Sequence, residues 1–150
     1  MNEYIFSAMK RYNYLLGEIE ASYHELSLSL GLSDSAMKIL YAICDNGRWC
    51  LLRDICRRSG LSKQTVNSAV RKLETEEIIY LEMAGSKNKK VCLTDKGNKL
   101  AERTARQVLR IENEIFASWP PEDVQKNLEL TERFLLALQE KITSINISGE

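Results

Sequence analysis

Apolar residues near the start of the chain recur at alternating steps of four and three, the spacing of a helical seam that packs along another helix. The repeat begins at Ile5 and continues to Leu30. It predicts one long helix whose apolar stripe needs a packing partner. The residues of this N-terminal seam are Ile5, Met9, Tyr12, Leu16, Ile19, Tyr23, Leu26 and Leu30.

A second seam of the same spacing lies near the other end of the chain. Its helix is predicted to begin at Pro120-Pro121, where proline and the acidic residues that follow suit a helix N-terminus. A further helix is predicted from Asp95 to Ala117, with Leu100, Thr104, Val108, Ile111 and Ile115 on one side. The residues of the C-terminal seam are Val124, Leu128, Thr131, Leu135, Leu138, Ile142 and Ile145.

The chain has 150 residues and three predicted long helices with apolar seams. Together these seams are longer than one small hydrophobic core can cover. Packing within one chain is one interpretation, and packing against a second copy across a two-fold axis is the other. The length of the seams favours the second. We therefore expect a homodimer whose interface includes Ile5, Met9, Tyr12, Leu16, Leu135, Leu138 and Ile142.

The middle of the chain has shorter elements. Ser33 is predicted to cap a helix that ends near Gly47, and a minimal strand is predicted in the four residues that follow. Leu52 to Ser59 predicts two helical turns closed by Gly60. Ser62 then caps a helix to about Glu76. Two helices joined by a short turn that contains glycine are typical of a helix-turn-helix.

A β-hairpin is predicted directly after this motif. Ile78 to Met83 is rich in strand-forming residues, Ala84 to Lys89 predicts a basic tip, and Lys90 to Leu93 predicts the returning strand. A helix-turn-helix followed by such a hairpin is a winged helix, so the expected fold class is mainly α (α+β).

The second helix of the helix-turn-helix has two distinct faces. At 100° per residue Val66, Ala69, Val70 and Leu73 share one arc, which is the expected buried face. No acidic residue occurs from Ser62 to Lys72, although glutamate is favourable on an exposed helix surface. Glutamine, asparagine and arginine side chains pair with base edges, and serine or threonine with bases or phosphates. The candidate DNA-binding residues of this helix are Ser62, Lys63, Gln64, Thr65, Asn67, Ser68, Arg71 and Lys72.

The charge of the chain is divided unevenly, although its net value is zero. Residues 1–47 sum to −3, residues 48–106 to +7 and residues 107–150 to −4. A basic centre between acidic ends is the expected footprint of a polyanion site, and a solvated charged face is the alternative. The candidate DNA-binding residues of the hairpin are Ser86, Lys87, Asn88, Lys89 and Lys90.

Several other functions lack support in the sequence. The single His24, the absence of a phosphate-binding glycine loop and the lack of paired metal ligands argue against an enzyme. The spacing of Cys44, Cys50, Cys56 and Cys92 does not fit a zinc site, so no metal or cofactor is expected. No apolar run of membrane-spanning length or secretory signal is present, and we expect a cytoplasmic protein without membrane contact.

The order of these blocks resembles the MarR (multiple antibiotic resistance regulator) family of bacterial transcription factors. The resemblance rests on the segments "LYAI", "GLSKQTVNSAVRKLE", "LTDKG" after the hairpin, and "WPPEDV". It implies one MarR-like domain over residues 1–150, with residues 33–106 as the winged helix and residues 1–32 and 107–150 as dimerisation helices. It also implies a repressor that binds a pseudo-palindromic operator.

Two features implied by the resemblance concern the wing and an effector. Wings of the family usually carry an aspartate and an arginine near the tip, and neither is present here, so the lysines are expected to contact phosphates more than to read the minor groove. Many members bind small aromatic ligands between the dimer helices and the winged helix. The candidate pocket residues here are Tyr12, Tyr23, Tyr41 and Trp49, although aromatic residues at helical spacing are more often core.

The main alternative is a winged helix that contacts proteins, as an adaptor or an anti-repressor. Such a surface would be expected to expose an apolar or mixed-charge patch. The acid-free helix face and the basic hairpin favour sequence-specific binding of double-stranded DNA.

Overall fold

The computed structural model describes residues 2–148, with side chains described through residue 145. The chain divides into two compact units, one of residues up to Leu109 and one from Arg110 onward. The helices are α1 (Glu3–Ser29), α2 (Asp34–Asp45), α3 (Leu52–Ser59), α4 (Lys63–Thr75), α5 (Asp95–Glu102), α6 (Ala105–Ala117) and α7 (Pro121–Ser148). The strands are β1 (Trp49–Leu51), β2 (Ile79–Ala84) and β3 (Asn88–Leu93).

The first unit contains the winged helix, and this confirms the predicted fold class. The three strands form an antiparallel sheet in the order β1-β3-β2. Apolar residues of α2, α3, α4 and the sheet form one core, in which Ile39, Ile43, Ile55, Val66 and Val91 are fully buried. The core holds α4 and the hairpin of β2 and β3 in fixed positions, because both elements contribute buried side chains to it.

Two helix ends predicted from the sequence are confirmed in this unit. The Ser33 hydroxyl accepts a hydrogen bond from the Ala36 N–H at 3.2 Å and caps α2 as expected. Gly60 ends α3 in the left-handed region at φ 67°, which favours glycine.

The single helix predicted from Asp95 to Ala117 is wrong, because the structure has two helices there. The Thr104 hydroxyl donates to the Leu100 carbonyl at 2.7 Å, while the Thr104 N–H bonds to Ala101, three residues back. The threonine side chain thus competes with the backbone for the carbonyl that would continue the helix. The apolar spacing passes through the break unchanged, so periodicity could not reveal it.

The tip of the hairpin is also shorter than predicted. Strand pairing extends to Ala84 opposite Asn88 and to Met83 opposite Lys89, so the turn consists of Gly85, Ser86 and Lys87. Asn88 and Lys89 therefore lie in β3. This register determines which face of the hairpin each lysine occupies.

The long helices keep their predicted seams on the outside of each unit. On α1, Ile5 is 51% exposed and Leu16 is 45% exposed, and only the end of the seam, at Leu26 and Leu30, packs against the core. On α7, Leu135, Leu138 and Ile142 are each about half exposed. None of the helices between residues 2 and 148 is long and apolar enough to cross a membrane.

Candidate nucleic-acid interface

The start of α4 is fixed by its capping serine. The Ser62 hydroxyl accepts from the Thr65 N–H at 3.1 Å and donates to the Thr65 hydroxyl at 2.8 Å. Two predicted DNA-binding residues are therefore bonded to each other in the free protein. The first turn of α4 is held rigidly, with its other backbone N–H groups directed away from the helix.

The two faces predicted for α4 are present in the structure. Val66, Val70 and Leu73 are buried, and Ala69 is half-buried against the same core. The predicted DNA-binding residues of α4 occupy the other side, where all are exposed except the half-buried Asn67. The exposed members are Ser62, Lys63, Gln64, Thr65, Ser68, Arg71 and Lys72.

The lysines of the hairpin occupy different positions and face different sides in the structure. Lys87 lies in the turn, while Lys89 and Lys90 are neighbours in β3 and so project to opposite faces of the sheet. The Lys90 ammonium lies 4.3 Å from the centroid of the Trp49 ring, in a cation–π contact. Lys90 is thus held over β1 in the free protein.

A groove of about 330 Å³ lies between α3, α4 and the hairpin. Four basic side chains from these three elements line it, and none of the acidic residues that the structure describes does. The basic residues are Arg53, Lys63, Lys87 and Lys89. Asn67 and Asn88 add polar groups, and Leu51, Leu52 and Cys56 complete the wall. The groove therefore joins the predicted surface of α4 to the predicted surface of the hairpin.

Arg53 also belongs to this surface, although it is not among the DNA-binding residues predicted from the sequence. It lies in the first turn of α3, and its Nε is 3.9 Å from the Asp54 carboxylate. At this distance between exposed side chains the ion pair contributes little. The available signal was the three arginines in eight residues of α3, at positions 53, 57 and 58. Arg58 differs, because it pairs closely with Asp45.

The four predicted pocket aromatics lie in different settings. Tyr12 and Tyr23 are on α1 and are 38% and 42% exposed. Tyr41 packs against the core from α2, and Trp49 lies beneath Lys90. A ligand pocket formed by them stays a prediction.

The cysteines have the environment of packing residues. Burial raises the pKa of the Cys44, Cys50 and Cys92 thiols. A raised pKa lowers the fraction of reactive thiolate at neutral pH. Between residues 2 and 148, no group of three or more His, Cys, Asp or Glu side chains is arranged to hold a metal ion.

Comparison with known proteins gives one family. The model of the MarR family matches residues 30–86, which span α2 through the turn of the hairpin. No curated protein matches the chain.

Solved structures extend the similarity to the long helices. A MarR family regulator from Neisseria meningitidis is 15% identical, with a TM-score of 0.80 over 96% of this chain and 99% of that chain. A MarR family regulator from Silicibacter pomeroyi is 20% identical, with a TM-score of 0.67 over 85% and 87%. BpsR from Bordetella bronchiseptica, whose DNA binding is regulated by 6-hydroxynicotinic acid, is 17% identical, with a TM-score of 0.52 over 80% and 98%.

The matched proteins share the arrangement of helices and strands described above. At 13% to 20% identity, the solved structures establish a shared fold, and the family model adds a sequence match over the winged helix. Residues 30–86 therefore match the MarR family model, and the chain has the fold of MarR family transcriptional regulators.

Proposed function

We propose that this protein is a homodimeric transcriptional repressor that binds a pseudo-palindromic operator. The observation that carries the proposal is the exposed, acid-free face of α4 beside a groove lined by four basic side chains. The positive potential of such a surface attracts DNA, and the polar face of the helix supplies donors and acceptors for base edges.

The polar face of α4 is assigned to the major groove. Gln64, Ser68 and Arg71 are exposed along its centre, while Asn67 lies at the edge of the basic groove. The first acidic residue, Glu74, follows two and a half turns later, so the N-terminal part of the helix makes the contacts. Each good bidentate contact discriminates against a wrong base by roughly 1–3 kcal/mol.

The dimer is supported by the apolar seams on α1 and α7. Ile5, Leu16, Leu138 and Ile142 are about half exposed in one chain. Exposed apolar residues repeated along one side of a long helix are typical of an interface. A two-fold dimer would place the two α4 helices in successive major grooves, about 34–36 Å apart.

Selection of binding sites from fragments of the protein's own genome tests the function directly. We expect a recurring palindromic site with half-sites about one helical turn apart. Arg71→Ala and Gln64→Ala should each reduce the ratio of operator to random-sequence affinity by roughly 5- to 150-fold. Absence of any preferred fragment at moderate salt would contradict specific DNA binding.

The dimer has a separate test. Leu138→Glu places a charge in the C-terminal seam, where its burial in an interface is unfavourable. Arg133→Gln makes the same change in net charge on the opposite face of α7, so it serves as the control. Sedimentation velocity should show monomers for Leu138→Glu and dimers for Arg133→Gln. Two dimeric variants would place the interface elsewhere.

A small aromatic effector is part of the proposal. BpsR, with the same fold, responds to 6-hydroxynicotinic acid. Here Tyr12, Tyr23, Tyr41 and Trp49 are the candidate pocket residues. Small hydroxylated aromatic acids can be screened for release of the operator and for quenching of tryptophan fluorescence. A screen in which none of them changes operator affinity would count against this part of the proposal.

A further inference from the structure

The basic groove between α3, α4 and the hairpin is not explained by base recognition alone. Its four cationic side chains come from three separate elements, and its lining within the described part of the chain contains no acidic residue. Lys63 is contributed by the first turn of α4, Arg53 by the first turn of α3, and Lys87 and Lys89 by the hairpin. Bringing like charges together is unfavourable unless an anion is bound between them.

The geometry of the double helix indicates which anion fits. The major groove is about 12 Å wide and admits one α-helix, so a sugar-phosphate strand borders that helix on each side. The hairpin stands beside α4, with the basic groove between them. If α4 lies in the major groove, the bordering strand on that side passes along the basic groove.

We propose that the basic groove holds consecutive phosphates of this strand and that Arg53 is a DNA contact. The inference rests on the proposed binding of DNA by α4 and names how the strand is held. A guanidinium fork donates two parallel hydrogen bonds to one phosphate, while the lysines act as point charges. These contacts fix the register of the protein on the duplex and carry no sequence information.

A cysteine in the lining of the basic groove, Cys56, can report whether the groove is occupied. Cys56 is half-buried, whereas Cys50 and Cys92 are buried. A thiol reagent should therefore reach Cys56 more readily than Cys50 and Cys92. A DNA strand in the groove would cover Cys56.

Salt dependence is the first test of Arg53. The logarithm of the binding constant falls with the logarithm of salt concentration by about 0.9 for each neutralised phosphate. Arg53→Ala should reduce this slope by about 0.9, which corresponds to about 8-fold weaker binding at 0.1 M salt and about 4-fold at 0.2 M. The ratio of operator to random-sequence affinity should not change.

The control is Arg103→Ala, which removes the same charge from the turn between α5 and α6, outside the groove lining. It should leave the slope unchanged. Equal slopes for the two variants would overturn the assignment of Arg53. If Arg53→Ala does not fold, Arg53→Lys keeps the charge without the fork and should weaken binding while preserving the slope; unchanged binding of that variant would also overturn it.

Alkylation of Cys56 by N-ethylmaleimide, followed by peptide mass mapping, is the second test. Operator DNA should slow modification of Cys56 at least 10-fold, whereas inorganic phosphate at the same phosphate concentration should not. Operator binding without protection of Cys56, or equal protection by inorganic phosphate, would overturn the strand assignment while leaving the proposed function intact. Wild-type protein that binds no DNA would refute the proposed function itself.

Discussion

Replacement of Gly97 by alanine offers a sharp test of how the winged helix is assembled. Gly97 lies in α5, within the "LTDKG" segment, and is buried against Ile78, in the segment that joins α4 to β2. A Cβ added there would lie 1.9 Å from the Ile78 carbonyl oxygen and 2.9 Å from the Ile78 carbonyl carbon. Backbone atoms cannot turn aside as a side chain can, so α5 itself would have to move.

Two opposing contributions determine how Gly97→Ala changes the free energy of unfolding. Alanine is intrinsically better than glycine in a helix by about 1 kcal/mol. Restoring an ordinary contact of 3.4 Å requires a shift of about 1.5 Å. Overpacking of this kind typically costs about 1–3 kcal/mol.

The shift also disturbs a hydrogen-bond network at the same site. The Thr94 hydroxyl accepts from the Gly97 N–H at 2.9 Å and donates to the Glu77 carbonyl at 2.6 Å. Hydrogen bonds of this kind contribute about 1 kcal/mol each. With the overpacking and helix-propensity terms, we expect Gly97→Ala to lower the free energy of unfolding by about 2–4 kcal/mol.

Gly17→Ala provides a matched control within α1. Apart from the adjoining residues and backbone of α1 itself, no described atom lies within 4 Å of the Cβ that this substitution adds, and the φ of Gly17 is not in the left-handed region. The free energy of unfolding should therefore rise by about 0.5–1 kcal/mol. Urea unfolding followed by far-UV circular dichroism measures both, at one protein concentration because dimerisation would stabilise the folded state.

An unchanged urea midpoint for Gly97→Ala, or one raised as in the Gly17 variant, would refute the close contact between residue 97 and Ile78. A change in the m-value without a change in the midpoint would also refute it, since that indicates an altered denatured state. Because Ile78 leads into β2, operator affinity of Gly97→Ala should also fall at temperatures where the variant remains folded.

Three further substitutions test individual contacts. Glu77→Asn should raise the free energy of unfolding by up to about 1 kcal/mol, because Glu77 has φ 60° and asparagine tolerates this region better; a lower urea midpoint would contradict the assignment of strain. Ser62→Ala removes the cap bonded to Thr65 and should lower the free energy of unfolding by about 1 kcal/mol, and an unchanged thermal midpoint would argue against the cap. Lys89→Ala should reduce the salt slope of DNA binding by about 0.9, whereas Lys90→Ala should change it little, and equal effects in titrations would contradict the division of the two lysines.

Much of the fold follows from local signals in the sequence. Ser33 and Ser62 cap their helices through bonds to backbone three residues away, and Gly60 supplies a left-handed residue where α3 ends. The buried and polar faces of α4 follow from its period alone. These features depend on neighbours in the chain, so the residues that form them are visible in the sequence.

Only part of the candidate site was predicted, because local patterns do not show which distant residues meet in the fold. The polar residues of α4 and the lysines of the hairpin were selected from type and spacing. The grouping of Arg53 with Lys63 and Lys89 was not, because these residues are separated along the chain and meet only when α3, α4 and the hairpin pack on one core.

The sequence by itself determined the order of the helices and strands, their capping residues and the faces that enter the core. Tertiary structure decided the break between α5 and α6 at Thr104 and the close approach of Gly97 to Ile78. It also decided that Lys90 lies over Trp49 whereas Lys87 and Lys89 line the basic groove. The physical reason is that capping and periodicity act within a few residues, whereas strand register and helix docking are set by contacts distant in sequence.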